Sequence, residues 1–278
     1  MRARVAGKLE RDRELTGRIV TAVDRGAGQI IITNPAKRNA MTAAMWRELA
    51  VAVRTLDRRA DVVAIVVRGS GAEAFCAGAD ISEFSSVRSD ARSIAAYDRR
   101  IAAAERALLT TTKPTIAMLH GICAGGGAAI ALSCDLRFAA DDLRFSIPAA
   151  RIGAIYPAGT IARLVAIVGP GAAFDLLASA RVIAAAEALQ LHFVDRLVAA
   201  SALEALVTGY VEQLATYSAP SIRAAQLAVR SAEAPTDAAA RRAVARHARA
   251  ASRSHDYAEG ISAFLEKRAA RFPSRERG

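Results

Sequence analysis

Two glycine-rich stretches carry the residue types best suited to chemistry in this sequence. They read FCAGADISEF over residues 75–84 and HGICAGGGAAIALSCD over residues 120–135. Each stretch places bare backbone N–H groups at the start of an expected helix, and only glycine and alanine let a substrate oxygen approach such donors closely. The pair therefore predicts the two halves of an oxyanion hole, a site that stabilises negative charge on an oxygen through backbone hydrogen bonds.

The three cysteines, Cys76, Cys123 and Cys134, are the other candidates for chemistry in and around these stretches. Their number is odd, and none has the spacing of a zinc knuckle or of a redox C-x-x-C pair. This pattern is typical of buried thiols, with a catalytic thiol as the alternative. We expect no metal site.

Composition limits the partners that such a site could serve. The chain has 278 residues, 53% of them hydrophobic, and a formal net charge of +11. The charge by itself suggests nucleic acid. However, arginines alternate with acids, as in DRRIAAAER, and only 5% of the residues are aromatic. This distribution favours a solvated helical surface, so we expect no nucleic-acid partner.

The sequence also predicts no membrane partner, since no segment reaches the roughly 18 unbroken apolar residues that a membrane span needs. Residues 1–15 alternate in charge and contain no apolar core of a secretion signal. We interpret them as a mobile, solvated N-terminal extension. The corresponding expectation is a cytoplasmic location.

Hydrophobic periodicity predicts the elements that must position the two glycine stretches. Short β runs near Gly17 and Gly28 predict a strand pair, and the apolar run VVAIVV predicts a buried strand. Thr42 is the predicted N-cap of a helix that continues to about Arg59, with apolar residues at helical spacing.

The same pattern continues through the second stretch. A helix over about residues 91–109 leads into the apolar strand TIAMLHG, and DLRFAADDLRFSIP predicts two more strands around an Asp-Asp turn. Because strand, glycine turn and helix occur twice, we expect an α/β core of repeated β-β-α units over residues 16–200. Residues 201–278 predict a helical C-terminal region, broken at Pro220 and Pro235.

Five blocks resemble the enoyl-CoA hydratase/isomerase, or crotonase, superfamily in their order and spacing. They read NPAKRNAMT, AFCAGADISEF, GICAGGGAAIALSCDLRFA, FSIPAARIG and EGISAFLEKR. The resemblance covers roughly residues 17–271. It implies a crotonase-like spiral of β-β-α turns and a helical C-terminal region that mediates trimers, often paired into hexamers. It also implies a role in fatty-acid metabolism, with an acyl-CoA thioester as the ligand.

The resemblance gives the two glycine stretches a specific task. It implies that the thioester oxygen lies between the backbone N–H groups of Ala79 and Gly126. Enolate-like charge develops on that oxygen, and losing one such donor typically costs about 10²–10³ in rate. No cofactor is implied beyond the coenzyme A that forms part of the substrate.

The resemblance also implies which residues hold the CoA and acyl parts. The carbonyl of Ala77 meets the CoA tail, Lys37 and Arg38 lie on the loop against the nucleotide, and a neighbouring subunit offers Phe264 and Lys267. Cations suit phosphate because charge-assisted hydrogen bonds are strong, although a solvated surface charge is the alternative for each one. The predicted contact residues are Lys37, Arg38, Ala77, Asp80, Ile81, Gly125, Phe264 and Lys267.

The chain departs from this family where protons are handled. Hydratases of the superfamily carry two glutamates, at positions that correspond here to Ala129 and Ala149. Hydration needs one group to deprotonate water and another to deliver a proton to the α carbon, and alanine does neither. We therefore expect an acyl-CoA lyase or isomerase whose reaction differs from simple hydration.

Tyr156 is the leading candidate to act instead, because the chain resembles methylmalonyl-CoA decarboxylases at this tyrosine. A phenol can donate a hydrogen bond to a substrate carboxylate; the alternative is a pocket wall with its hydroxyl bonded to the backbone. Glu83 is a weaker candidate base, and Asp98 and Glu105 share a helix that borders the acyl site in relatives. A CoA-thioester binding protein without catalysis is the alternative from another functional class.

Overall fold

The computed structural model describes residues 17–232 and 238–276. The predicted N-terminal extension over residues 1–15 and the predicted break at Pro235 lie outside these residues. The proposed division of the chain near residue 200 stays a prediction.

The strands form two sheets that run side by side. The larger sheet has six strands in the order β1-β2-β3-β5-β7-β10, and the smaller has four in the order β4-β6-β8-β9. The strands are β1 (Arg18–Asp24), β2 (Ala27–Thr33), β3 (Ala64–Gly69), β4 (Ala74–Cys76), β5 (Thr115–Leu119), β6 (Ile122–Ala124), β7 (Leu136–Ala140), β8 (Arg144–Ser146), β9 (Ile183–Ala184) and β10 (Arg196–Val198).

Successive turns of the chain repeat one pattern, which confirms the predicted spiral. Each turn places one strand in the larger sheet, the next in the smaller sheet, and then a helix. Strands β3, β5 and β7 pair in parallel in the first sheet, and β4, β6 and β8 pair in parallel in the second. The predicted strand pair at the start is antiparallel, with Arg18 opposite Thr33.

Helices cover both sheets. They are α1 (Ala43–Asp57), α2 (Phe84–Val87), α3 (Ala91–Thr110), α4 (Gly126–Leu132), α5 (Ala158–Val168), α6 (Pro170–Ser179), α7 (Ala185–Gln190), α8 (Leu203–Ala215), α9 (Ala219–Ala232), α10 (Ala238–Ser252), α11 (His255–Leu265) and α12 (Pro273–Glu276). Pro220 lies in the first turn of α9, where a missing N–H costs nothing. The predicted break there falls just before it, between α8 and α9.

Helix α1 shows how local sequence sets an element near the site. The Thr42 side chain accepts a hydrogen bond from the Met45 N–H at 3.2 Å, as predicted for an N-cap. Trp46 and Leu49 on its inner face are buried. Trp46 packs so tightly that a Cβ added to Gly126 would lie 3.0 Å from its ring. Helix α1 therefore supports the second glycine stretch from behind.

Candidate functional site

The two glycine stretches meet in the structure. We call residues 77–80 the first glycine loop and residues 124–127 the second. A Cβ added to Gly126 would lie 3.3 Å from the Ala79 nitrogen, so the two loops are in contact. Gly78 has φ +115° and Gly125 has φ +47°, backbone conformations that side chains other than glycine rarely adopt. Glycine at these positions is what lets the loops turn toward each other.

Backbone hydrogen bonds hold the first glycine loop in place, but they do not involve every N–H group of the two loops. The Met41 N–H donates to Gly78 O at 2.7 Å, and the Asp80 N–H donates to Met41 O at 2.8 Å. Between them, the Ala79 N–H has no backbone acceptor among the described residues, and the same holds for Gly126 at the first position of α4. Both residues are partly exposed among buried neighbours. The arrangement therefore places two backbone N–H groups without a backbone acceptor on neighbouring loops.

The three cysteines are buried in and after the two glycine stretches. All three thiols are free and buried. Burial raises the pKa of Cys76 to about 12 and that of Cys134 to about 12, and it raises the pKa of Cys123 well above the ordinary value. A thiol that stays protonated is a poor nucleophile, so the interpretation as buried structural thiols is supported over a catalytic role.

Tyr156 reaches the second glycine loop. Its hydroxyl donates to Gly125 O at 2.6 Å, and the same carbonyl accepts the Ala129 N–H at 3.0 Å. The hydroxyl therefore lies beside the first turn of α4, next to the position where the resemblance implies a glutamate. Burial, with a smaller contribution from the Glu105 charge, raises the pKa of Tyr156 well above its ordinary value. The hydroxyl bond to a backbone carbonyl is what the alternative interpretation expected, and donation to a substrate carboxylate stays a prediction.

The two alanines lie among apolar neighbours. Ala129 is 3% exposed on α4, and Ala149 is partly buried and packs against the main hydrophobic core. Neither position has a carboxylate that could activate water.

Lys37 and Asp80 contact each other directly. The Lys37 ammonium lies 2.6 Å from the Asp80 carboxylate and 2.7 Å from the Ser82 hydroxyl. Asp80 also accepts the Ser82 N–H at 3.1 Å at the start of a short 3₁₀ turn. Burial raises the pKa of Asp80, but hydrogen bonds from Lys37 and Ser82 outweigh it and the net pKa is lowered. Asp80 thus caps the first glycine loop, and the Lys37 charge is already partly compensated.

The other predicted contact residues lie at the surface. Arg38 is exposed at the end of the turn before α1, and its carbonyl accepts the Ala77 N–H at 3.0 Å. Ile81 is 58% exposed, and Phe264, at the end of α11, is 82% exposed. Lys267 is exposed two residues beyond α11. The structure brings Lys37, Arg38, Ala77, Asp80 and Gly125 together around the first and second glycine loops.

The three candidate carboxylates differ in their partners and in how far they are buried. Glu83 accepts the Ala43 N–H at 2.7 Å, so it is engaged at the start of α1. Asp98 points outward and pairs with Arg88 at 3.3 Å. Glu105 points inward and is 8% exposed. The sequence alone did not predict which of these side chains point into the fold.

Glu105 belongs to a buried cluster that sequence reasoning missed. Its carboxylate accepts a hydrogen bond from Thr160 Oγ1 at 3.1 Å and is paired with Arg163, both on α5. The signal was present, because Glu105 follows Tyr97 and Ile101 at intervals of four residues and so shares their apolar face. The identity of its partners, 55 residues away in sequence, was not readable.

Within residues 17–232 and 238–276, no helix is long and apolar enough to cross a membrane. In the same part of the chain, no three His, Cys, Asp or Glu side chains are grouped so that they could hold a metal ion.

Comparisons with known proteins give consistent results. A family model described as enoyl-CoA hydratase/isomerase matches residues 23–275. A protein of Mycobacterium tuberculosis named as a probable enoyl-CoA hydratase is 32% identical over 257 residues, which cover 92% of this chain and 98% of that protein. A peroxisomal Delta(3,5)-Delta(2,4)-dienoyl-CoA isomerase of Arabidopsis thaliana is 32% identical over 183 residues, covering 62% of this chain and 66% of that protein.

Solved structures agree with these sequence matches. A crystal structure of an enoyl-CoA hydratase/isomerase family protein from Hyphomonas neptunium superposes with a TM-score of 0.87 at 33% identity, covering 94% of this chain and 100% of that one. An enoyl-CoA hydratase from Mycobacterium smegmatis superposes with a TM-score of 0.83 at 29% identity, covering 91% and 98% of the two chains.

Proposed function

The chain belongs to the enoyl-CoA hydratase/isomerase family, and from this premise we propose that it is an acyl-CoA lyase that forms an enolate by breaking a bond to the α carbon. In this proposal the thioester oxygen binds between the N–H groups of Ala79 and Gly126, and Tyr156 serves as the donor beside the α carbon. Decarboxylation of an acyl-CoA that carries a carboxylate on its α carbon is the reaction that fits best.

The carrying observation is the hydrogen bond from Tyr156 to Gly125 O, the carbonyl that also accepts the Ala129 N–H. It supports a protonated phenol in the place of a missing carboxylate. A phenol whose pKa lies well above its ordinary value can donate a proton or a hydrogen bond, but it cannot deprotonate water at neutral pH. Chemistry that needs a donor and no base is therefore favoured over hydration.

The proposed reaction is a decarboxylation followed by protonation of the α carbon. The bond between the α carbon and the carboxylate breaks, CO₂ leaves, and the electron pair moves onto the thioester oxygen as an enolate. The two backbone donors stabilise that charge in a site shielded from water. The Tyr156 hydroxyl then delivers a proton to the α carbon and recovers one from solvent. No cofactor is proposed beyond the CoA moiety of the substrate.

A panel of thioesters tests this proposal. We expect release of CO₂ from malonyl-type CoA thioesters, no hydration of crotonyl-CoA, and loss of most turnover in Tyr156→Phe. Hydration of crotonyl-CoA at a rate that Tyr156→Phe leaves unchanged would overturn it. Tight acyl-CoA binding with no turnover of any thioester would instead support the second candidate, a non-catalytic thioester-binding protein, which the apolar surroundings of Ala129 and Ala149 favour.

We further propose a homotrimer, alone or paired into a hexamer, in which α11 contacts a second copy. Tyr257, Ile261, Phe264 and Leu265 are 55%, 45%, 82% and 73% exposed, and their spacing places them on one face of the helix. In such an assembly Phe264 and Lys267 would reach the CoA of the neighbouring subunit. Light scattering of the wild type and of Phe264→Ser, with CoA affinity measured on both, tests this arrangement.

A further inference from the structure

The segment that carries Tyr156 is poorly covered by the rest of the molecule. We call residues 150–159 the Tyr156 segment. Ile152 is 56% exposed and Ile155 is 94% exposed, although both are large and apolar. Within the segment, the Ala154 N–H donates to Ala149 O at 3.0 Å. Two side chains hold the segment against the rest of the fold: Arg151 donates to Ala180 O at 2.7 Å, and Tyr156 packs against the main hydrophobic core.

A buried polar cluster begins at Thr160, four residues after Tyr156. Thr160, in the first turn of α5, is 0% exposed, and Glu105 on α3 is 8% exposed. The Thr160 hydroxyl lies 3.1 Å from both Glu105 carboxylate oxygens, and Arg163 donates to the same carboxylate. Arg163 also donates to Thr160 Oγ1 at 3.2 Å. The three side chains therefore tie the start of α5 to the middle of α3.

Burying the charged groups of this cluster carries a cost in the free energy of folding. Removing two charges from water carries a penalty of several kcal/mol per ion, and apolar residues of similar volume are often as stable or more stable. One donor, Arg163 Nε, is buried with no hydrogen-bond partner among the described residues. Burying a polar cluster with one unsatisfied donor calls for an explanation other than stability.

The place of the cluster, directly after the Tyr156 segment in the chain, supplies that explanation. Tyr156 lies four residues before Thr160, on the other side of Pro157, the N-cap of α5. Fixing Thr160 against Glu105 therefore fixes the end of the Tyr156 segment that enters α5, while the hydroxyl of Tyr156 bonds Gly125 O at the other side.

We infer that Glu105, Thr160 and Arg163 form a positioning unit for Tyr156, which holds the tyrosine hydroxyl at the second glycine loop beside Ala129. The inference rests on the proposed function only for the chemistry that Tyr156 performs. The placement itself follows from the contacts. None of the three residues is assigned contact with substrate, and they act through Tyr156.

The charges of the unit also act on the phenol. Burial is the main cause of the raised pKa of Tyr156; the negative charge of Glu105 raises it further, and the positive charge of Arg163 lowers it. The other titratable groups around the ring are Cys123 on β6 and Cys76 on β4, and both raise it. The two members of the ion pair thus have opposite effects on the same hydroxyl.

Because Glu105 and Arg163 shift the pKa of Tyr156 in opposite directions, the inference can be tested without an activity assay. A fluorinated tyrosine at position 156 has a lower phenol pKa than tyrosine, and fluorine NMR reports its titration in the full-length protein. We expect Glu105→Gln to lower this pKa and Arg163→Gln to raise it, because the two substitutions remove charges of opposite sign. Shifts of the same sign in both variants, or no shift in either, would overturn the inference.

Activity and stability measurements complete the test. On the substrate found for the wild type, Thr160→Val should lower kcat about tenfold with little change in KM, because the hydroxyl is misplaced and thioester binding is retained, and Thr160→Ser should restore it. The control is Asp195→Asn, which removes the partner of the buried Arg137 at 3.1 Å in another part of the fold. It should lower the melting temperature without moving the position-156 titration. If no thioester turns over, the proposed function fails while the titration still decides this inference.

Discussion

The glycine loops and the Tyr156 segment meet at Gly125 O but are held in place in different ways. The first glycine loop is fixed by backbone hydrogen bonds to the segment before α1, as in the Met41 bonds to Gly78 and Asp80. The Tyr156 segment is largely exposed and depends on side chains, namely the Tyr156 hydroxyl bond, the Arg151 bond to Ala180 O and the Glu105 cluster. The backbone donors are therefore built into the fold, whereas the proposed proton donor, Tyr156, is held by side chains that can change without altering the fold.

The comparison explains how the chain combines a typical family fold with an unusual site. A backbone N–H persists through most substitutions, so the polarising half of the site survives changes of side chain. Carboxylates at positions 129 and 149 do not, and both are alanine here. If the two halves are independent in this way, variants of each should have separable effects.

The largest effect is expected for Gly126→Ala. The added methyl would lie 3.3 Å from the Ala79 nitrogen and 3.0 Å from the Trp46 ring, so it fills the space between the two donors. We expect a loss of about 10²–10³ in kcat/KM, the cost typical of losing an oxyanion donor. The control is Gly171→Ala in α6, where an added Cβ meets nothing within 4 Å. Steady-state kinetics on both variants checks this, and equal activities would contradict the assignment of the loops.

Tyr156→Phe should have the next largest effect. Removing the hydroxyl leaves Gly125 O with the Ala129 N–H as its remaining donor and removes the proposed proton donor. We expect kcat to fall about 10²-fold, with acyl-CoA affinity nearly unchanged because the backbone donors remain. A large loss of affinity with unchanged kcat would show that the tyrosine serves binding and that the two halves are not separable.

Ala129→Glu tests whether the phenol occupies the space of the missing carboxylate. Ala129 is 3% exposed, so a glutamate there buries a charged group next to Tyr156, and we expect a loss of about 2 kcal/mol in the free energy of unfolding. Tyr156→Ala should relieve part of this loss when the two are combined. Ala131→Glu, at another buried position of α4, should show no such coupling with Tyr156→Ala. Denaturant titrations of the double-mutant cycle measure the difference.

The same contrast explains what the sequence could predict. Glycine and alanine at the donor positions reflect local backbone requirements, so the donor loops were readable before the fold was known. The Thr42 cap and helices α1 and α3 were readable for the same reason. The short strands β4 and β6 were not predicted, because each has three residues and exists through pairing with distant neighbours.

The side-chain half of the site was only partly readable. The sequence indicated Tyr156 but could not choose between a catalytic hydroxyl and a backbone-bonded one, and the structure shows the backbone bond. It could not orient Asp98 or Glu105, because that depends on the packing of α3 against α5, and nothing in the sequence indicated that Lys37 is paired with Asp80. Roles that depend on packing between distant segments needed the structure.

The smallest effect is expected where a side chain supports a glycine loop. Asp80 has a lowered pKa in the folded chain, so its contribution to stability is present above the unfolded-state pKa and is lost as pH falls through the folded-state pKa. Lys37→Met removes one of the bonds that lower this pKa, while the Ser82 N–H and hydroxyl remain. The acid-unfolding midpoint should therefore move to higher pH. Because Lys37 is 45% exposed, the loss at neutral pH should be at most about 1 kcal/mol. Arg59→Met, which removes an exposed partner of Asp61, is the matched control and should move the acid midpoint less, because solvent screens this exposed pair. Acid titrations followed by circular dichroism compare the two variants, and a shift of equal size in both would mean that the first glycine loop gains nothing specific from Lys37.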